Sequence, residues 1–141
     1  MRRLVLLAAL LGSTVHAAEP LTIDVYRDPN CGCCSQWIKH LEANGFAVHD
    51  HMEPNMSELK ARLGVPPRFS SCHTGVIDGK FVEGHVPAHD ILTLRQRPDL
   101  LGVAVPGMPL GSPGMEMGNR KDAYEVLGLK TDGKDEVVSR H

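Results

Sequence analysis

The sequence predicts a one-domain α/β fold in which a central mixed sheet is flanked by helices. Segments with the two-residue alternation of a strand are followed by segments with the spacing of an amphipathic helix. An Asp-Gly pair at residues 78–79 separates two strand-like segments, which is a strong hairpin signal. The resulting order of elements is β-α-β-α-β-β-α-β, and such alternation is typical of layered α/β domains.

The first strand and the first helix are predicted at residues 21–26 and 31–44. The strand segment alternates apolar and polar side chains, as a half-buried strand does. Asn30 is a suitable N-cap for the helix, and Gly45 is a suitable stop signal after it. A cysteine-bearing turn therefore joins the first strand to the first helix, which is the thioredoxin-like arrangement of an α/β fold.

The middle of the chain continues with a strand, a helix and the hairpin. Residues 46–49 form the predicted second strand. Asn55 and Glu58 have the spacing of a capping box at the start of the second helix. Residues 74–77 and 80–83 are the predicted strands of the hairpin.

A third helix, a short strand and a long loop complete the prediction. Pro87 opens a helix that Pro98 stops, and residues 103–105 form a short buried strand. Residues 106–118 contain three Pro, four Gly and three Met in thirteen positions, so we expect a loop there. Strand-like alternation resumes at residues 124–129, and the polar tail that follows has a second Asp-Gly turn signal for a weak hairpin.

The N-terminus has the features of a secretory signal peptide. A pair of arginines precedes a short apolar region at residues 4–11, and Val15-His16-Ala17 is a small-residue cleavage site. The apolar run is much shorter than the roughly 20 residues that a transmembrane helix needs. The sequence therefore predicts a signal peptide at residues 1–17, a single domain at residues 18–141 without a membrane span, and a periplasmic location.

The charge composition argues against a nucleic-acid-binding protein. The formal net charge of -2 provides no field that would attract nucleic acid or anionic lipid. The sequence also has no basic stripe with interleaved aromatic residues. We therefore expect no nucleic-acid partner.

Three cysteines lie within four residues at the predicted N-terminus of the first helix. Unpaired backbone N–H groups and the helix dipole favour thiolates at this position. Cys31 and Cys34 have the C-x-x-C spacing of a redox pair, but Cys33 inside that motif would compete for the mixed disulfide. Two structural disulfides are a second interpretation, although such frameworks usually spread their cysteines to close long loops.

A sulfur-rich metal site is the third interpretation, and the residue types favour it. Soft thiolates select Cu(I), zinc or iron–sulfur clusters, and three crowded thiolates bridge several ions more easily than they enclose one zinc ion. Three methionines on the long loop add thioethers, which suit Cu(I) but not zinc, the alternative being that they fill gaps in the core. The predicted ligands of a multinuclear Cu(I) site are Cys31, Cys33, Cys34, Cys72, Met108, Met115 and Met117.

The histidines carry a weaker signal than the sulfur-containing residues. His73 adjoins Cys72 in the sequence and is expected near the site. His85 is expected to hydrogen-bond to the backbone of its own loop. His49 and His51 share a strand face and could bind a stray metal, but we interpret them as solvated residues of an edge strand.

Several short stretches of the sequence are weak evidence of a protein family when taken alone, but their combination is specific. They are Pro29-Asn30-Cys31-Gly32-Cys33-Cys34 with Trp37, Gly64-Val65-Pro66, Ser71-Cys72-His73-Thr74, Glu83-Gly84-His85-Val86-Pro87-Ala88 with Asp90-Ile91, Val103-Ala104-Val105-Pro106-Gly107-Met108-Pro109, and Gly111-Ser112-Pro113-Gly114-Met115-Glu116. With these stretches the chain resembles the small periplasmic metal-binding proteins of copper-resistance loci, the CopG-type family.

The resemblance implies a thioredoxin-like fold and a cysteine-bridged copper cluster on the four cysteines. It also implies a role in periplasmic copper handling that is linked to redox chemistry. The expected partners are copper ions and, beyond them, periplasmic copper chaperones or efflux components. A metal-binding protein is favoured over an enzyme, and the alternative is a thiol–disulfide or copper-redox oxidoreductase that uses Cys31 and Cys34.

Overall fold

The computed structural model describes residues 18–141, and the predicted signal peptide lies outside them. The described residues form a mixed seven-stranded sheet with three α-helices and a short 3-10 helix. Along the chain these are β1 (Leu21–Arg27), α1 (Gly32–Ala43), β2 (Phe46–Met52), α2 (Met56–Arg62), the 3-10 helix (Pro67–Phe69), β3 (His73–Ile77), β4 (Lys80–Glu83), α3 (Ala88–Arg95), β5 (Leu100–Ala104), β6 (Glu125–Lys130) and β7 (Asp135–Arg140). Within residues 18–141, none of the helices has the length and apolar character that crossing a bilayer requires.

The strands lie in the order β2-β1-β3-β4-β5-β6-β7. The pairs β1–β2 and β4–β5 are parallel, and the other neighbouring strands are antiparallel. Each parallel pair is connected through a helix, α1 or α3, as parallel strands require. The predicted mixed α/β architecture is therefore confirmed.

The predicted hairpin is confirmed in detail. β3 pairs antiparallel with β4 across residues 74–77 and 80–83. Asp78 and Gly79 have φ angles of 51° and 74°, and positive φ at both central residues is what a type I′ turn needs. The hairpin brings the start of β3 next to the end of β4, where several residues of the candidate site lie.

The predicted N-cap of the first helix was wrong. Cys31 occupies the N-cap position, and its side chain makes no capping hydrogen bond. The backbone N–H of Asn30 donates instead to Asp28 Oδ1 at 2.7 Å. This local turn uses Asn30 before the helix starts, and it leaves the helix N-terminus lined by cysteine side chains.

The predicted order of elements ended at the strand of residues 103–105, but the strand-like segment at 124–129 and the weak hairpin of the tail also belong to the sheet. β5 begins at Leu100 rather than at residue 103, and the segment predicted as strand 124–129 pairs with it as β6. The polar tail forms β7, which pairs with β6. The tail has a weak strand signal of its own, but pairing with an existing sheet edge satisfies its backbone groups.

Apolar side chains pack on both faces of the sheet. Val82 belongs to a cluster under α1 and α3, whereas its neighbour Phe81 belongs to a second cluster with Phe69, so the two clusters lie on opposite faces. Trp37 of α1 is fully buried in the first cluster, and its indole N–H donates to the carbonyl oxygen of Val86 at 2.9 Å. The packing of Trp37 fixes α1 against the sheet, and with it the position of the cysteine-bearing turn.

Candidate metal centre

The structure brings the four cysteine sulfurs together. Cys33 lies in the first turn of α1, and its Sγ atom is 3.6 Å from Cys31 Sγ and 3.8 Å from Cys72 Sγ. Cys72 immediately precedes β3, which pairs with β1, so strand pairing carries it to the helix N-terminus. The Sγ atoms of Cys31, Cys33, Cys34 and Cys72 all lie within 4.8 Å of one another.

Two of these sulfurs are covalently bonded in the structure. Cys31 and Cys34 form a disulfide, and Cys33 and Cys72 are free thiols. The bonded pair is the C-x-x-C pair that the redox interpretation of the sequence singled out. The cluster is therefore in its oxidised form, and addition of two electrons and two protons would give the four thiols that the metal-site interpretation assumes.

Two buried imidazoles also converge on the sulfur of Cys72. His73 Nδ1 is 3.2 Å and His85 Nε2 is 3.4 Å from Cys72 Sγ. The other ring nitrogens face backbone carbonyls: His73 Nε2 donates to Gly84 O at 2.9 Å, and His85 Nδ1 donates to Pro113 O at 2.8 Å. A backbone carbonyl that accepts from the outer nitrogen is one of the usual arrangements of a histidine that binds a metal.

Burial keeps these three side chains uncharged in the metal-free protein. It lowers the pKa of His73 and of His85, and it raises the pKa of Cys72 to about 12 with a further contribution from the Cys33 thiol. Both imidazole lone pairs therefore point at one thiol, which has a single proton to donate. A soft metal ion that replaces this proton would satisfy the sulfur and both nitrogens at once.

Acidification is expected to destabilise the metal-free protein. Because burial lowers the pKa of His73, the unfolded chain takes up a proton below about pH 6.5 that the folded chain does not, so the contribution of His73 to stability falls below that pH and is constant above it. The loss in the free energy of unfolding grows as the pH falls further below this value. Urea unfolding at pH 7 and pH 5 measures this loss. It should shrink in His73→Gln but not in His89→Gln, which changes an exposed residue; equal losses in both variants would contradict the assignment.

The loop at residues 106–118 covers one side of the cluster. Of its three methionines, Met108 has the thioether that contacts a cysteine among the described residues, with Sδ 3.8 Å from Cys33 Sγ. Met115 is half-buried and Met117 is 62% exposed, and the described contacts place neither sulfur against the cysteines. The structure thus brings one of the predicted thioether ligands to the cluster.

Two contacts fix this loop over the site. The hydroxyl of Ser71 donates to the carbonyl oxygen of Gly107 at 2.6 Å, next to Met108. Gly114 packs so closely on α1 that a Cβ atom there would lie 2.7 Å from the backbone nitrogen of Trp37, and its φ of 88° also favours glycine. The loop is therefore held both to the segment before β3 and to α1.

A buried ion pair supports the segment that carries Cys72. Glu83, at the end of β4, is fully buried and pairs with the ammonium group of Lys60 on α2. Its carboxylate also accepts the backbone N–H of Ser71 at 2.7 Å and the hydroxyl of Thr74 at 2.6 Å. These bonds flank Cys72 and His73 on both sides, so the carboxylate defines the path of the chain through the site.

The sequence did not identify two parts of this arrangement. His85 was expected to hydrogen-bond to the backbone of its own loop, but its backbone partner is Pro113 of the loop at residues 106–118, and its second nitrogen faces Cys72. Glu83 belongs to one of the stretches that carry the family resemblance, but its ion pair with Lys60 was not predicted.

The fold and the site together define a small mixed α/β protein with a cysteine-rich candidate metal centre. The model of a family of proteins of unknown function, DUF411, matches residues 69–115, which include Cys72 and Met108. No curated protein matches the chain.

Two solved structures are similar to nearly the whole described domain. One, named "Copper resistance protein copG- Form 2", is 68% identical, with a TM-score of 0.86, and the match covers 87% of this chain and 99% of that chain. The other, "Copper resistance protein copG- Form 1", is 69% identical, with a TM-score of 0.85, and covers 87% and 98%. The chain belongs to the CopG-type copper resistance protein family.

Proposed function

We propose that the protein binds copper(I) in the periplasm, through a multinuclear thiolate site, as part of copper resistance. The observation that carries this proposal is the position of Cys33, whose sulfur lies within 3.8 Å of two further cysteine sulfurs and of the Met108 thioether. The copper-resistance names of the similar structures support the choice of metal.

The spacing of the sulfurs supports metal binding. Two sulfurs that bind the same ion, each at about 2.3 Å in a tetrahedral arrangement, are separated by roughly 3.8 Å. The distances from Cys33 Sγ to Cys31 Sγ and Cys72 Sγ, 3.6 Å and 3.8 Å, are close to that value. Because Cys33 has suitable neighbours on two sides, it is the natural bridging ligand between ions.

The mixture of ligand types favours copper(I) over zinc. Thiolates and a neutral thioether are soft ligands, and imidazole nitrogens are also good ligands for copper. The site would use Cys31, Cys33, Cys34 and Cys72 as its thiolates, with Met108, His73 and His85 as neutral ligands. Met115 and Met117 remain predicted ligands on the same loop.

X-ray absorption spectroscopy of the copper-loaded protein tests this proposal. The protein is first reduced, so that the Cys31–Cys34 disulfide is opened, and it is then loaded anaerobically with copper(I). We expect a copper(I) edge, mainly sulfur scatterers and a short copper–copper distance. Ligation by nitrogen and oxygen alone would rule out the thiolate site.

The thioether of Met108, which is a weaker ligand than a thiolate, can be tested with a matched pair of variants. Met108→Leu removes a thioether that is 51% exposed next to Cys33, whereas Met52→Leu removes one that is 54% exposed elsewhere. We expect Met108→Leu to weaken copper(I) binding about tenfold, which is about 1.4 kcal/mol. Competition with a chromophoric copper(I) chelator measures both affinities. Equal affinities would mean that Met108 does not bind the metal.

The disulfide favours a second candidate function, a thiol–disulfide or copper-redox oxidoreductase. Cys33 Sγ lies 3.6 Å from Cys31 Sγ, so a free thiol adjoins the bond that it could attack. Oxidation of two copper(I) ions to copper(II) would supply the two electrons that open the disulfide, with two protons from water. Catalytic turnover in a disulfide-reduction or copper-oxidation assay would support this function, and a strictly stoichiometric reaction would count against it.

The proposal also includes a thioredoxin-like fold and a periplasmic location. The cysteine-bearing turn between β1 and α1 supports a thioredoxin-like domain at residues 18–141. Removal of the signal peptide at residues 1–17 would deliver this domain to the periplasm, where copper chaperones or efflux components would exchange copper with it. N-terminal sequencing of the protein from a periplasmic extract should give Ala18 as the first residue.

A further inference from the structure

A second group of metal-binding side chains lies on the exposed surface of β1 and β2. These strands are parallel, and Asp24 of β1 is in register with His49 of β2, while Tyr26 is in register with His51. Both imidazoles approach the same carboxylate oxygen: His51 Nε2 is 2.7 Å and His49 Nδ1 is 3.5 Å from Asp24 Oδ1. The three side chains are 40% to 63% exposed, so an ion can reach them from solvent.

The distances from the Asp24 carboxylate to each imidazole suit a shared metal ion. Nitrogen and oxygen ligands that bind one ion at about 2.1 Å lie roughly 3 to 3.5 Å apart in square or tetrahedral geometry. The distances from Asp24 Oδ1 to the two histidine nitrogens, 2.7 Å and 3.5 Å, bracket this range. The nitrogens of His49 and His51 do not lie within 4.8 Å of each other, so binding of one shared ion requires the exposed His49 ring to turn toward His51.

Neighbouring residues hold the group in place, and among the described residues no lysine or arginine pairs with the Asp24 carboxylate. The ring of His51 stacks on Tyr26, with ring centres 4.7 Å apart, which holds its Nε2 atom toward Asp24. The nearby carboxylate of Asp50 accepts two hydrogen bonds from Arg27, each at 2.8 Å, so it is already occupied. Among the described residues, the two histidines are the hydrogen-bond and ion-pair partners of the Asp24 side chain.

We propose that Asp24, His49 and His51 form a surface site for a single copper(II) ion, separate from the cysteine centre. Two imidazoles and a carboxylate are a nitrogen and oxygen ligand set, which selects copper(II) where soft sulfur selects copper(I). Among divalent first-row ions, copper(II) binds most tightly to such ligands when the site does not impose another geometry. The protein thus has two sites that differ in the oxidation state of copper that they accept.

The experiment uses untagged protein with the substitutions Cys33→Ser and Cys72→Ser, which keeps the Cys31–Cys34 disulfide and has no free thiol. Copper(II) is titrated by calorimetry, and the bound ion is examined by electron paramagnetic resonance. We expect one copper(II) ion per chain with hyperfine coupling to two imidazole nitrogens. Adding His49→Ala should weaken binding by at least the roughly 10- to 100-fold that loss of a group supporting a metal ligand costs.

Two further variants separate this site from chance binding to surface histidines. His89→Ala removes another exposed histidine and should leave the affinity unchanged. Asp24→Asn, which keeps the shape of the side chain, should weaken binding as His49→Ala does. Equal losses in His49→Ala and His89→Ala, or no loss in either, would overturn the proposal. The thiolate proposal would be unaffected by that outcome, because its test uses copper(I) and the intact cysteines.

Discussion

Replacing Cys33 and Cys72 together by serine is expected to abolish multinuclear copper(I) binding. Cys33 lies between Cys31 and Cys72, and within residues 18–141 Cys72 is the cysteine that connects the sulfur cluster to the two buried imidazoles. The affinity should therefore fall by more than the roughly 10- to 100-fold that follows loss of a residue supporting a metal ligand. Metal analysis after anaerobic loading with copper(I) should change from several ions to at most one ion per chain, which the reduced Cys31 and Cys34 can still bind.

The double variant should fold, which makes the result interpretable. Serine is close to cysteine in size, both positions are only half-buried, and the disulfide of Cys31 and Cys34 is retained. Circular dichroism and urea unfolding of the metal-free variant serve as the control, because the chain has no fifth cysteine for a matched substitution. An unchanged number of copper(I) ions in a folded double variant would contradict the proposed site.

Replacing Lys60 by methionine is expected to destabilise the protein strongly. The substitution leaves the carboxylate of Glu83 fully buried without its positive partner, and an unpaired charge at such a position costs about 3 to 5 kcal/mol. Urea unfolding of the metal-free protein measures the loss. The copper site should also be affected, because the same carboxylate binds Ser71 and Thr74 on either side of Cys72 and His73.

An exposed ion pair provides the matched control for this prediction. Arg140, which is 74% exposed, pairs with Glu125 on the neighbouring strand at 3.0 Å. Because solvent screens this pair, Arg140→Met should cost less than about 1 kcal/mol. Similar losses in the free energy of unfolding for Lys60→Met and Arg140→Met would show that the burial of Glu83 does not cause the destabilisation.

Elements with strong local signals could be predicted from the sequence. The hairpin at Asp78 and Gly79 follows from two residues that accept positive φ, and α2 starts at the Asn55 cap that its capping box indicates, with Asn55 accepting the backbone N–H of Glu58. β7 was predicted only as a weak hairpin strand, because its stability depends on pairing with β6 rather than on its own residues.

The candidate site could likewise be predicted only in part, because some of its contacts depend on how distant segments of the chain come together. The residue types pointed to a meeting of Cys72 with the helix cysteines, since scattered soft ligands suggest a shared metal. The partners of Asp24 and of Glu83 could not be inferred, because they depend on strand register and on the position of α2. The disulfide between Cys31 and Cys34 was one of several alternatives left open by the sequence, since spacing alone does not determine whether two thiols are bonded.

The single tryptophan of the chain lies beside the candidate metal centre. Trp37 follows the cysteine motif by one helical turn, and its ring centre lies 4.3 Å from that of His73, which contacts Cys72. Its fluorescence therefore arises beside the candidate metal centre and from no other part of the molecule. Quenching of this emission provides a label-free optical signal with which metal uptake and disulfide opening can be followed in real time.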